Sequence, residues 1–258
     1  MKKKLRSGLA ILALTMLGLS GARAQSPGGV SANLKIRLRL ETFTPSSWTD
    51  ASGSGNNFTQ TNASRQPFMV PASGVEKYNF NMVGDFGTTG SDVRFMAIPV
   101  GKPYSANGTN SSIFTVNLDR GVGGYADILG FGATTTTANL TTANFPIFTR
   151  SGTNALTYPY SDASPALPAV VAKRLYLNDV SYTVGTAGIK HGQNGTTRSN
   201  TQTFSAVYAQ HANGAILGSQ PEVRNGLIRE LIAYERDLTE AEKIRVRSYT
   251  AIKYSSSH

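Results

Sequence analysis

An antiparallel two-sheet β-sandwich carrying a short C-terminal α-helix is the all-β fold class this sequence predicts, and three observations predict it. Short apolar runs such as YNFNMVGDF, VRFMAIPV, SIFTVNL and FPIFT recur between clusters of Gly, Asn, Thr and Pro, a spacing that suits strands joined by turns. Leu34, Ile36, Leu38 and Leu40 alternate with Lys35, Arg37, Arg39 and Glu41, the period of two of a half-buried strand. A helical period appears only after Leu238, behind a capping signal. Of 258 residues, 40% are hydrophobic and only 16% are charged. That supports a core and argues against a coiled coil or a charge-rich disordered tail. The chain has no cysteine, which excludes a disulfide scaffold, thiol catalysis and thiolate metal ligation. Three histidines argue against a His-rich metal centre as well.

Residues 1–24, MKKKLRSGLAILALTMLGLSGARA, read as a secretory signal peptide. A basic start precedes a short apolar run, and Ala22-Arg23-Ala24 supplies a small-x-small cleavage site. The apolar run is shorter than the roughly 20 residues of a membrane span. Residues 25–258 then form one exported domain, secreted or at the cell surface, with the periplasm as the alternative, and with no membrane span. Removing the leader leaves 20 basic against 15 acidic residues, a net of +5. That balance suits anionic surfaces or glycans, and no nucleic-acid partner is expected.

The elements follow in order. The strand at 34–41 carries its charges outward, a pattern that protects a sheet edge. SSWTDASGSGNNFTQT, residues 46–61, is too rich in Ser, Gly and Asn for a helix or a long strand, so it is an ordered loop tied by Asp50 and Asn57. Trp48, the single tryptophan, suits either sugar stacking or packing. TTTTANLTT at 134–142 is a surface loop or edge strand. KRLYLNDVSYTV places two strand-like runs around Asn178-Asp179, a pair that tolerates a hairpin turn. LIRELIAYE, residues 227–235, is a buried strand. Thr239 and Glu242 form a capping box for a helix over 239–254. Ala241, Ile244, Ser248, Tyr249 and Ile252 line its inward face, opposite Lys243, Arg247 and Lys253.

Three segments resemble the laminin-G-like branch of the concanavalin A-like lectin/glucanase superfamily, in the version found in exported surface proteins of Bacteroidetes. VSANL at 30–34 with WTDASGSGNN at 48–57 is similar to that family's opening strand and W-x-D-x-S-G-N-G-N loop. RLYLNDV at 174–180 is similar to its LY-x-NG-V hairpin, with Asp179 where glycine is usual. GLIRELIAYERDLTEAEKIRVRSYTAIKY at 226–254 is similar to its closing strand and helix. The resemblance implies a jelly-roll sandwich and a core position for Trp48. It also implies a structural calcium shared by the Asp-Ser-Gly loop and the closing strand, with Asp50, Asn57 and Glu230 as ligands. A loop held by hydrogen bonds alone is the alternative. Either way, the 50–57 loop is expected to dock on the strand of Glu230.

No catalytic residue is assigned. Glu235, Asp237 and Glu240 fit the E-x-D-x-x-E text of retaining glucanases, whose paired carboxylates stand about 5–5.5 Å apart on one strand face. Here the text runs from a strand end into a helix start. His191 and His211 lie in glycine-rich segments and read as surface loop histidines. The expected function is therefore non-enzymatic recognition of a glycan or a surface/matrix ligand. A glycan hydrolase or lyase, or a purely structural surface protein, is the alternative.

Overall fold

The computed structural model describes residues 26–70, 83–87, 94–98, 109–119, 124–131, 147–151, 155–157, 174–186, 188–199, 215–218 and 226–254. The expected signal peptide at residues 1–24, the 134–142 run and His211 lie outside them. A turn at Pro27–Gly29 leads into β1 (Leu34–Thr44), β2 (Ser47–Asp50), β3 (Phe58–Thr59), β4 (Phe68–Val70), β5 (Val83–Asp85), β6 (Met96–Ile98) and β7 (Ser111–Asp119). There follow β8 (Gly124–Phe131), β9 (Ile147–Ser151), β10 (Ala155–Thr157), β11 (Leu175–Tyr182) and β12 (Lys190–Gln193). The chain closes with β13 (Thr196–Ser199), β14 (Ala215–Leu217), β15 (Gly226–Tyr234) and the helix α1 (Glu240–Tyr254).

Neighbouring strands pair antiparallel along the path β10-β9-β8-β14-β6-β3-β2-β1-β15-β7-β11-β12-β13, with β5 joining β4 to β15. The path doubles over at β1 and β2. The main core draws Leu38, Ile113, Val180 and Leu231 from one half and Met96, Ile98, Leu129 and Leu217 from the other. The two halves therefore face each other as the layers of a sandwich. Trp48 packs at the centre of this core with no exposure. It stands edge-on to Phe43 at 5.1 Å, and its Nε1 donates to the Arg39 carbonyl at 2.7 Å.

β15 is central because its sequence permits burial on both faces. All nine of its residues are buried, and it pairs with β1 on one side and β7 on the other. β1 is consequently an inner strand, flanked by β15 and β2, and not the protected edge its charges suggested. Those charges answer to a second layer. A smaller cluster of Val30, Phe114, Ile232, Tyr234, Leu238 and Val246 holds α1 against the outer face of the β1-β15-β7-β11 sheet.

The sequence placed a turn at Asn178-Asp179, and the structure runs β11 straight through it. Tertiary partners outweigh local turn preference there, as the site geometry below makes clear. The left-handed pair is instead Asn194 (φ 48°) and Gly195 (φ 84°), the two-residue turn between β12 and β13. The capping box of α1 forms as its residues dictate: the Glu242 N–H donates to Thr239 Oγ1 at 3.3 Å, and the Thr239 N–H donates to Glu242 Oε2 at 3.0 Å. The buried face of the helix is not the expected one. Lys243, Val246, Thr250 and Tyr254 are buried, while Ile244 and Ile252 are 54% and 78% exposed.

Candidate functional site

The Asp50 loop is satisfied from within. Asp50 Oδ1 accepts the backbone N–H of Arg37 and of Ser52, each at 2.8 Å. Oδ2 accepts the Asn56 N–H at 3.0 Å and the Ser52 hydroxyl at 2.7 Å. The Asn57 side-chain oxygen accepts the Asp50 N–H at 2.8 Å. Four donors fill a carboxylate's ordinary accepting capacity. The loop docks on β1, where Asn56 Nδ2 and Ser54 Oγ donate to the carbonyls of Lys35 and Leu34. The expected docking on the Glu230 strand is therefore corrected: β1 lies between them.

Glu230 belongs to a different cluster, on the outer face beneath α1. Its carboxylate accepts from the Tyr254 hydroxyl at 2.6 Å, the Tyr249 hydroxyl at 3.1 Å and Lys253 Nζ at 3.1 Å. Arg37 Nε stands 3.6 Å away. Arg37 links this cluster to Asp50, through its backbone on one side and its guanidinium on the other. Asp50, Asn57 and Glu230 thus have separate partners and do not fit a shared calcium cage, and no group of three His, Asp or Glu gathers to hold a metal among the described residues. Burial, and then the charge of Glu230, push the Tyr254 phenol above its ordinary value, the reverse of what an activated nucleophile needs.

The same outer face explains the inverted helix. Arg247 grips Asp179 through two bonds of 3.0 and 2.8 Å, and Lys243 reaches Asp237 at 2.7 Å. The sheet presents carboxylates, so the helix turns its cations inward. Glu235 and Glu240 of the glucanase-like text pair with Lys35 at 2.8 Å and Arg247 at 3.0 Å.

The inner face of the same strands carries neutral chemistry. Directly paired antiparallel residues share a face. Thr115, Asn178, Gln193 and Thr196 pair in succession across β7, β11, β12 and β13. The next row holds Ile113, Val180, His191 and Arg198, and on the other side Asn117 pairs with Tyr176. Ile113 and Val180 belong to the main core, which makes this the inner face. Asn117 Oδ1 accepts from Asn178 Nδ2 at 2.8 Å and from Thr115 Oγ1 at 2.9 Å. Asn117 Nδ2, Asn178 Oδ1, both terminal atoms of Gln193 and both ring nitrogens of His191 have no hydrogen-bond partner among the described residues. All four side chains are at most 2% exposed. Each buried polar group left unmet costs about 1–3 kcal/mol. Burial lowers the His191 pKa to about 4, so the imidazole is uncharged at neutral pH.

His191 was expected on a surface loop and instead sits inside β12. The Asn-Gly turn at 194–195 was the signal that could have placed KHGQ on a strand, with His191 and Gln193 on one face. Gly192 between them faces the helix side, where a methyl group would overlap the Asp179 carboxylate.

No family model and no curated protein sequence matches the chain. Solved structures match its fold. A Trypanosoma rangeli sialidase in complex with sialic acid is similar at a TM-score of 0.59 and 14% identity, over 88% of this chain and 34% of that one. Domain 4 of a GH43 extracellular arabinanase from Geobacillus stearothermophilus, in complex with arabinotriose, is similar at 0.55 and 16% identity, over 84% of this chain and 98% of the other. Botulinum neurotoxin type C, whose cell entry depends on two ganglioside molecules, is similar at 0.55 and 14% identity, over 87% of this chain and 53% of the toxin chain. This chain spans about a third of the sialidase's length. The expectation of a non-enzyme is overturned by these likenesses, because two of the three chains are a sialidase and a domain of an arabinanase. No helix among the described residues is long and apolar enough to cross a membrane.

Proposed function

We propose that this chain engages glycans as part of a glycan-hydrolysing activity outside the cytoplasm. One observation carries the reading: the sandwich recurs in proteins solved with sialic acid or arabinotriose, and in a toxin dependent on gangliosides. Fold alone hosts many functions, so the reading is supported further by the buried row of β7, β11 and β12, whose unmet polar atoms are of the kind that hydroxyl groups satisfy. Within this proposal the chain is of the laminin-G-like type found in exported Bacteroidetes surface proteins. The 1–24 leader directs its export, and adhesion to a glycan-coated surface is part of the same role. Purified protein is to be tested on arabinan, sialylated oligosaccharides and gangliosides, for retention on the immobilised glycan and for released sugar. Retention or release with one glycan class is the expected result. Neither retention nor release across a broad glycan array overturns the proposal.

A further inference from the structure

We infer that the inner-face row of His191, Gln193, Asn178 and Asn117 is the seat of an uncharged, hydroxyl-bearing ligand, a neutral sugar residue. The ligand class rests on the glycan reading above; the seat rests on the side chains themselves. Native interiors leave few polar groups unmet, and each such group calls for an explanation. Here six unmet atoms on four neighbouring side chains gather on one face. They include donors (Asn117 Nδ2, Gln193 Nε2, one His191 nitrogen) and acceptors (Asn178 Oδ1, Gln193 Oε1, the other His191 nitrogen). A sugar hydroxyl both donates and accepts, so it complements a patch of mixed sense.

The patch is also selective in charge. Among the described residues no carboxylate or ammonium stands in it, and its buried imidazole is neutral. Desolvating a carboxylate here would be costly without a partner, so sialylated sugars are disfavoured. Arg198, paired with His191 across β12 and β13, is exposed at the rim. β13 ends the strand path, and its residues are half-buried or exposed, so this edge is where the row comes nearest to solvent.

The test combines calorimetric titration with the imidazole nitrogen resonances of His191. Wild-type protein is titrated with neutral arabino-oligosaccharides and with sialylated oligosaccharides. Neutral sugars are expected to bind at least tenfold more tightly and to shift the His191 signals. Gln193→Leu is expected to lose at least tenfold in affinity while keeping or raising the Tm, because an apolar side chain there removes two unmet polar atoms and breaks no hydrogen bond. A purely structural role gives the opposite pattern, a lowered Tm with unchanged binding, and overturns the inference. Glycan binding that leaves His191 unmoved also overturns it, and leaves the glycan reading standing. No glycan binding by wild type removes the glycan reading and the ligand class with it. Because the His191 resonances are read on wild-type protein, the test holds even where a variant does not fold.

Discussion

At Asn178 and Asp179, adjacent side chains leave β11 on opposite faces and meet different chemistries. Asp179 is paired and held by a two-pronged guanidinium, the geometry in which a buried charge is best compensated. Asn178 reaches Asn117 and leaves its own oxygen unmet. His191, one strand over, pays most for this arrangement when acidified. In the unfolded chain its imidazole takes up a proton below about pH 6.5, whereas in the fold burial delays uptake to about 4. The unfolded state therefore binds more protons between these values, and stability falls as pH drops from 6.5 towards 4. The loss is on the order of 3 kcal/mol. His191→Leu removes this dependence. Thermal unfolding of both proteins between pH 4 and 7 should show wild type losing stability relative to the variant as pH falls; parallel curves would refute the assignment.

The helix teaches what periodicity does and does not contain. Its bounds and cap were legible, because Thr239 and Glu242 interact with each other and need nothing distant. Its buried face was not, because that face is chosen by Asp179 and Glu230, which reach it from elsewhere in the chain, together with Asp237 just ahead of the helix. A helix of mixed character packs according to what the receiving surface offers. Substituting Ile244 or Ile252 with Glu is therefore expected to change stability by less than about 0.5 kcal/mol, as for other exposed positions. Val246→Ala, at a position with no exposure, is expected to cost about 1–3 kcal/mol. Urea denaturation of the three variants distinguishes this helix face from the one the sequence suggests. The strands show the same division. The 34–41 alternation and the GLIRELIAY run were readable as strands from their apolar residues, although the burial of Arg37, Arg229 and Glu230 was not; the straight passage of β11 through Asn-Asp likewise required knowledge of Arg247 and Asn117. The neutral row was hidden for a related reason: Asn117, Asn178 and His191 are distant in sequence and become one patch only through strand register.

At the scale of the molecule, the two layers share a core while the outer face of one is closed by α1 through ion pairs as well as apolar contact. The fold class was readable from strand spacing and the terminal helix, whereas the order of strands was not, since pairing such as β1 with β15 joins residues about two hundred positions apart. Ending the chain after Thr239 is expected to expose Arg37, Glu230 and Ile232 together and to abolish cooperative thermal unfolding, measured by circular dichroism; retention of a wild-type transition would show that the helix is dispensable. The placement of β15 between β1 and β7 has a further consequence, in the order of synthesis. The first and seventh strands leave the ribosome long before the strand that bonds to both, and Gly28 waits longer still for the Arg245 backbone that passes against it. Long-range pairing of this kind is slow to form, so β1 and β7 take their final neighbours only after β15 has been synthesised, and the middle of the sheet is the last part of this layer to close.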